Sequence, residues 1–193
     1  MPFINYENRE ISFKIVYYGP GMSGKTSNII FVHKTIAEDK RGELISLKTS
    51  EERTLFFDFF PLELGHIATF SVRFNMYTLP GQIYYEASRR LILDGADGVV
   101  FVADSQRSRY ERNILHYQLL EKNLMLYKIN PKAFPIVLQY NKRDCDTPIE
   151  IGTIEKQLGL EDVPVFEAVA TRGDGVLETI RELSRRVISQ FEV

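Results

Sequence analysis

An α/β fold, with helices on both faces of a mixed, mostly parallel six-stranded sheet, is what this sequence predicts, on three observations. Short apolar runs alternate along the chain with stretches whose apolar residues recur every third or fourth position, the order of strand and crossover helix. One run, Gly98 to Ala103, carries no polar side chain, as expected of a central strand covered on both faces. An earlier run empties into a glycine-rich loop that opens directly into a helical pattern. At 193 residues the chain reads as one domain, 1–193, long enough to bury roughly 70% of its unfolded surface without a disulfide or metal.

In chain order, Phe13 to Tyr18 is a strand and Lys25 to about Ala37 a helix. Leu44 to Leu47 is a short extended piece in a long connection. Thr54 to Phe60 is another, stopped by Pro61, which has no N–H to give to a ladder. Ala68 to Leu79 alternates as a strand and ends at Pro80. Beyond the central strand, Ser108 to Tyr127 is a long helix, with Tyr110, Ile114, Tyr117, Leu120, Leu124 and Tyr127 at helical spacing. Phe134 to Gln139 is the next strand, and Ile149 to Leu158 a short helix closed by Gly159. Val163 to Val169 is the last strand, and Val176, Ile180, Leu183, Val187, Ile188 and Phe191 mark one face of a terminal helix.

Composition narrows the classes of function. A net charge of −2 argues against a nucleic-acid partner, which calls for a basic excess. The single cysteine, Cys145, excludes an intramolecular disulfide and suits a reducing, cytoplasmic setting. The N-terminal residues lack the pattern of a signal peptide, and no apolar run approaches the ~18 residues of a membrane span. Pro2 excludes N-myristoylation, and Gln190 to Val193 holds no prenylation cysteine. The expectation is a cytoplasmic monomer with no direct membrane anchor, brought to any membrane by a partner. His33, His66 and His116 are too scattered for a zinc site. Arg89, Arg90, Arg107, Arg109 and Arg112 read as solvated charge. The dense aromatics Phe56, Phe57, Phe59 and Phe60 would alternate between core and a partner surface.

Three phrases carry chemistry. Gly19-Pro20-Gly21-Met22-Ser23-Gly24-Lys25-Thr26 has phosphate-loop spacing between a strand and a helix. There the backbone N–H groups and the helix N-terminus meet an anion, with Gly19, Gly21, Ser23, Gly24 and Ser27 around the cradle. Lys25 would reach the outer phosphates, and the Thr26 hydroxyl would bind Mg²⁺. Asn141-Lys142-Arg143-Asp144 selects guanine, because the Asp144 carboxylate accepts from the base N1–H and 2-amino group, donors that adenine lacks. Asn141 would tie this loop to the phosphate loop, and the Lys142 stem would cover the ring. Val169-Ala170-Thr171 matches, more loosely, a loop whose alanine N–H meets the guanine 6-oxo group.

In Pro80-Gly81-Gln82, the Gly81 N–H would bond a γ-phosphate oxygen and Gln82 would orient the attacking water. Thr54 is the candidate switch threonine on Mg²⁺, and its neighbour Arg53 is either a built-in arginine finger or a surface cation paired with Glu51 or Glu52. Where Ras-like chains carry an aspartate before this glycine, the present chain has Thr78, leaving Asp58 or Asp104 as substitutes in the outer shell of the metal. The phrases together describe a Mg²⁺-dependent switch between GDP and GTP. The alternatives are a GTP-bound interaction module with negligible turnover, favoured by Thr78, and an ATP-using enzyme, disfavoured by Asp144.

The chain resembles the bacterial MglA-type small Ras-like GTPases of the P-loop NTPase fold. The likeness rests on Phe13 to Gly21, Glu52 to Phe59, Tyr77 to Gln82, Leu91 to Leu93 and Val99 to Ser105, and Thr78 is itself a mark of that family. The resemblance implies a polarity or motility switch with slow intrinsic hydrolysis. It implies that Arg53 is an intrinsic finger, aligned with Gln82 when a Roadblock-fold (MglB-like) dimer binds as activator. It also implies a slide of the strand carrying Phe56 to Phe59, and a GTP form that sits at a cell pole and engages polarity or motility effectors.

Overall fold

A computed structural model describes residues 2–48, 54–79 and 86–191. Its strands are β1 (Phe3–Asn5), β2 (Glu10–Tyr18), β3 (Ile45–Lys48), β4 (Thr54–Ile67), β5 (Phe70–Thr78), β6 (Gly98–Asp104), β7 (Ile136–Asn141) and β8 (Val165–Ala168). The helices are α1 (Lys25–Thr35), α2 (Glu86–Leu93), α3 (Tyr110–Leu126), α4 (Thr153–Leu158) and α5 (Val176–Phe191). The strands form a sheet in the order β3-β4-β5-β2-β6-β7-β8, with β1 paired to β2. Strands β5, β2, β6, β7 and β8 run parallel, and β1, β3 and β4 add antiparallel pairs.

Successive strand side chains point to opposite faces, and both faces are covered, which is why the central strand β6 reads as an unbroken apolar run from Gly98 to Ala103. In β2, Phe13, Ile15 and Tyr17 join Ile29 and Val32 of α1 and Leu183 and Val187 of α5. Their neighbours Val16 and Tyr18 turn the other way, against Leu93 of α2, Tyr117, Leu120 and Leu124 of α3 and Ile154 of α4. All seven residues of β6 are buried. Parallel strands carry every loop at their C-terminal ends to one rim of the sheet, and that is where the three sequence phrases belong.

The sheet departs from expectation in its strand count: among the described residues eight strands stand where six were expected, β1 being unforeseen and the extended piece at Leu44 to Leu47 pairing into the sheet as β3. Pro61 does not end its strand. It pairs with Asn75 of β5 while its carbonyl accepts the Gly42 N–H at 2.9 Å. In a strand a residue's N and O point to the same side, so the missing N–H faces the Gly42 edge and costs the β5 ladder nothing. Ala68 adopts φ 52° in the turn joining β4 and β5, so the predicted strand starts at Phe70. The predicted long helix begins as a short 3₁₀ turn over Arg107–Arg109, and the helix before Gly159 is confined to Thr153–Leu158. Phe60 is core, while the side chains of Phe56, Phe57 and Phe59 lie outside the described residues.

Candidate functional site

The loop from Gly19 to Gly24 joins β2 to α1, and its backbone is shaped for close approach. A Cβ on Gly19 would stand 2.3 Å from the Val102 carbonyl oxygen, and one on Gly24 would stand 2.0 Å from Asn141 Nδ2. Both glycines have φ between 100° and 143°, where a side chain is strained. Met22 holds φ 66° with an exposed side chain, so the turn is kept even where a side chain resists it. Gly24 is the N-cap of α1 and gives no side-chain bond to the first N–H groups, and the first turn carries no acidic residue. That helix end is therefore open to an anion. Lys25 is buried, its Nζ donating to the loop carbonyls of Gly19 at 3.1 Å and Pro20 at 2.7 Å. Ser23 Oγ is buried without a partner among the described residues. An ammonium, an orphaned hydroxyl and an open helix end converge on one cradle, and a phosphate chain satisfies all three.

Asn141 ends β7 and joins three loops. Its Nδ2 donates to the Ser23 carbonyl at 2.7 Å, and its Oδ1 accepts the Ala170 N–H at 2.9 Å. The phosphate loop, the Asn141–Asp144 loop and the Val169–Thr171 loop are thus held as one unit. Ala170 is buried and its N–H is committed to Asn141, whereas Thr171 is exposed. Lys142 turns through φ 64° and lays its Nζ 2.7 Å from Asp104 Oδ2. Arg143 is drawn inward instead, to the Ile149 carbonyl at 2.6 Å and Glu167 at 2.7 Å. The Asp144 carboxylate is exposed at the rim, where it is free to accept hydrogen bonds from a ligand's paired N–H groups.

The sequence model of the ADP-ribosylation factor family matches residues 6–187. The chain belongs to that family. It is similar to the mutual gliding-motility protein MglA of Myxococcus xanthus (strain DK1622), with 47% identity over 192 residues, 100% of this chain and 98% of the relative. It is also similar to ADP-ribosylation factor-like protein 6 of Caenorhabditis elegans and of Caenorhabditis briggsae, each 27% identical over 89% of this chain and 92% of the relative. As an ADP-ribosylation factor family member of the MglA type, it is a small GTPase, and guanine nucleotide is the ligand that its cradle and exposed Asp144 suit.

Other site candidates of this family member are placed unevenly. Thr26 and Ser27 stand in the first turn of α1, both half-buried. Thr78 is fully buried at the end of β5, opposite Tyr17 of β2, which sets the Thr78–Leu79 end beside the phosphate loop. Thr54 begins β4, and its side chain, like those of Asp58 and Arg53, lies outside the described residues, as do Gly81 and Gln82. Asp104, weighed from sequence as a substitute in the outer shell of the metal, has both oxygens engaged, one by Lys142 and the other by the Gln106 N–H at 3.1 Å. Among the described residues no three His, Cys, Asp or Glu side chains form a metal-binding group. The donor set is thus hydroxyl oxygens beside a phosphate cradle, which fits Mg²⁺ held jointly with nucleotide phosphates.

The structure also supplies residues that sequence reading did not single out. Gln139 Nε2 donates to Asn28 Oδ1 of α1 and to Thr179 Oγ1 of α5, both at 3.0 Å, while Asn28 Nδ2 donates to the Gly24 carbonyl at 3.0 Å. A polar residue in an otherwise apolar strand was the available signal. Arg89, read from sequence as solvated, is buried, because α2 turns it inward together with Ile92 and Leu93. Its spacing to Leu93, one helical turn on, was the clue. Burial, with Lys25, Arg89 and Arg112 nearby, pushes the His116 imidazole down to about 3.

Proposed function

We propose that this chain is a Mg²⁺-dependent molecular switch that binds and hydrolyses GTP to control cell polarity or motility. The observation that carries this reading is the Asn141 bridge: one side chain locks the phosphate loop to the two base-side loops, with Asp144 exposed beside it. Lys25, with Gly19, Gly21, Ser23, Gly24, Thr26 and Ser27, holds the phosphates. Asn141, Lys142 and Asp144, with Val169 and Thr171, hold the base, and Ala170, its N–H given to Asn141, steadies Asn141 instead. Mg²⁺, held by Thr26 and, in the GTP form, by Thr54, supplies charge neutralisation on the phosphates. Gly81 contacts the γ-phosphate, Gln82 orients the water, and Arg53 neutralises the charge that develops on transfer.

Intrinsic turnover is slow because Arg53 and Gln82 need alignment, and a Roadblock-fold (MglB-like) dimer supplies it. The name of the Myxococcus relative supports gliding motility as the process. The switch works in the cytoplasm as a monomer without nucleic acid, is recruited to a cell pole by partners, and engages polarity or motility effectors in its GTP form.

The test is single-turnover GTP hydrolysis with Mg²⁺, wild type against Arg53→Ala, each with and without a Roadblock-type dimer. Acceleration of the wild type that Arg53→Ala loses is the expected result. Lys25→Ala is expected to abolish nucleotide binding, and unchanged affinity would refute the cradle assignment. A second reading, a GTP-bound interaction module, draws on the buried hydroxyl of Thr78 standing where a carboxylate serves related chains. Tight GTP binding with no acceleration by the dimer would favour it.

A further inference from the structure

We propose that Asp104 is a positioning residue for nucleotide retention: it anchors the Lys142 side chain, and Asn113 of α3 anchors Asp104. The proposal rests on the base-side loop being the guanine site. Asp104 is 0% exposed, and burying a carboxylate is costly unless a cation and hydrogen bonds compensate it. Lys142 supplies the cation at 2.7 Å and the Gln106 N–H the second bond. The backbone of Asp104 is clamped as well. Its N–H donates to Asn113 Oδ1 at 3.0 Å, and Asn113 Nδ2 donates to its carbonyl at 2.9 Å, both inside the core.

Lys142, by contrast, is 30% exposed and sits in a left-handed conformation that a lysine adopts only under constraint. A free lysine there would lose side-chain entropy each time it lay across a base. Tethered by its ammonium, its stem is already immobilised, so less entropy is lost on binding. The same segment is braced from behind: Ser105 N–H donates to the Asn141 carbonyl at 2.9 Å, and Ile149 N–H to the Ser105 carbonyl at 2.7 Å. The end of β6 therefore sets both the backbone and the side-chain direction of the base-side loop.

The test is a double-mutant cycle read on dissociation of N-methylanthraniloyl-GDP from the full chain. Lys142→Met alone is expected to speed release; if it does not, the guanine-site reading fails and this proposal with it. Asp104→Asn, which keeps an acceptor for Gln106 but removes the charge, is expected to speed release about tenfold, as for a lost charge-assisted bond. Added to Lys142→Met, it is expected to change the rate less than about twofold, because its lever is already gone. A rate within about twofold of wild type for Asp104→Asn, or equal effects of Asp104→Asn in the two backgrounds, overturns the positioning role and leaves the guanine site standing. Should circular dichroism show Asp104→Asn unfolded, Asp104→Glu, which keeps the charge but moves it, takes its place with the same two readings.

Discussion

Replacing Gly24 by alanine puts one methyl group at the junction of the phosphate loop and the base-side loop. The new Cβ would stand 2.0 Å from Asn141 Nδ2, well inside contact distance, with Asn141 itself almost fully buried. Two costs follow. Alanine at φ 100° is held in left-handed territory, worth about 1–2 kcal/mol. Asn141 must also withdraw from the Ser23 carbonyl, leaving a buried donor and acceptor unpaired at about 1–3 kcal/mol. A loss of about 2–5 kcal/mol lowers the melting temperature of a chain this size by about 5–15 °C. Thermal melts and urea titrations of the nucleotide-free protein measure it. The control is Gly152→Ala, at φ 91° with nothing within 4 Å of the new methyl, where only the backbone cost of about 1–2 kcal/mol applies. Equal losses at the two glycines would refute the claim that Asn141 is what Gly24 makes room for.

Further outcomes follow from the same packing. Gln139→Leu strips Asn28 and Thr179 of a shared donor and is expected to cost about 1–3 kcal/mol in urea unfolding, with faster nucleotide release; a loss below about 0.5 kcal/mol would show the hub to be dispensable. The Tyr140 hydroxyl donates to Glu155 and accepts the Ile154 N–H, so Tyr140→Phe is expected to destabilise by about 1–3 kcal/mol and loosen α4, read as faster hydrogen exchange at Ile154. His116 stays neutral in the fold down to about pH 3, whereas in the unfolded chain it binds a proton near 6.5. Its contribution is thus complete above pH 6.5 and lost as pH falls, with a slope of up to about 1.4 kcal/mol per pH unit that His116→Gln is expected to remove.

The placement of the site residues was more legible in the sequence than their supports. Glycines in the phosphate loop and the Asn141–Asp144 phrase declare themselves because each residue type is required by what it must touch. The central strands β2, β6 and β7 were legible because burial leaves them rich in apolar residues, an unbroken run from Gly98 to Ala103 in β6. The strand β1 was not: Phe3–Asn5 has three residues, too few for a period, and it exists because β2 offers it an edge below the point where β6 begins. Helix α2 was hidden by Arg89 and Arg90, whose charge masks an inward-facing position. Strand β4 was cut short on paper by Pro61, since only the sheet reveals which side the missing N–H faces. The pairing of Asp104 with Lys142 spans 38 positions and has no local signature at all.

The Gln139 hub has a consequence for the order in which a ribosome makes this protein. The phosphate loop emerges among the first residues, yet Asn28, which steadies the Gly24 carbonyl, leans on a glutamine 111 positions later. That glutamine in turn shares its amide with Thr179, a further 40 positions on, whose hydroxyl closes on the Gly175 carbonyl. The nascent chain therefore exposes a recognisable nucleotide-binding phrase long before it owns a nucleotide-binding site. A stalled chain ending before Gly175 is therefore expected to retain no nucleotide when its bound nucleotide is assayed.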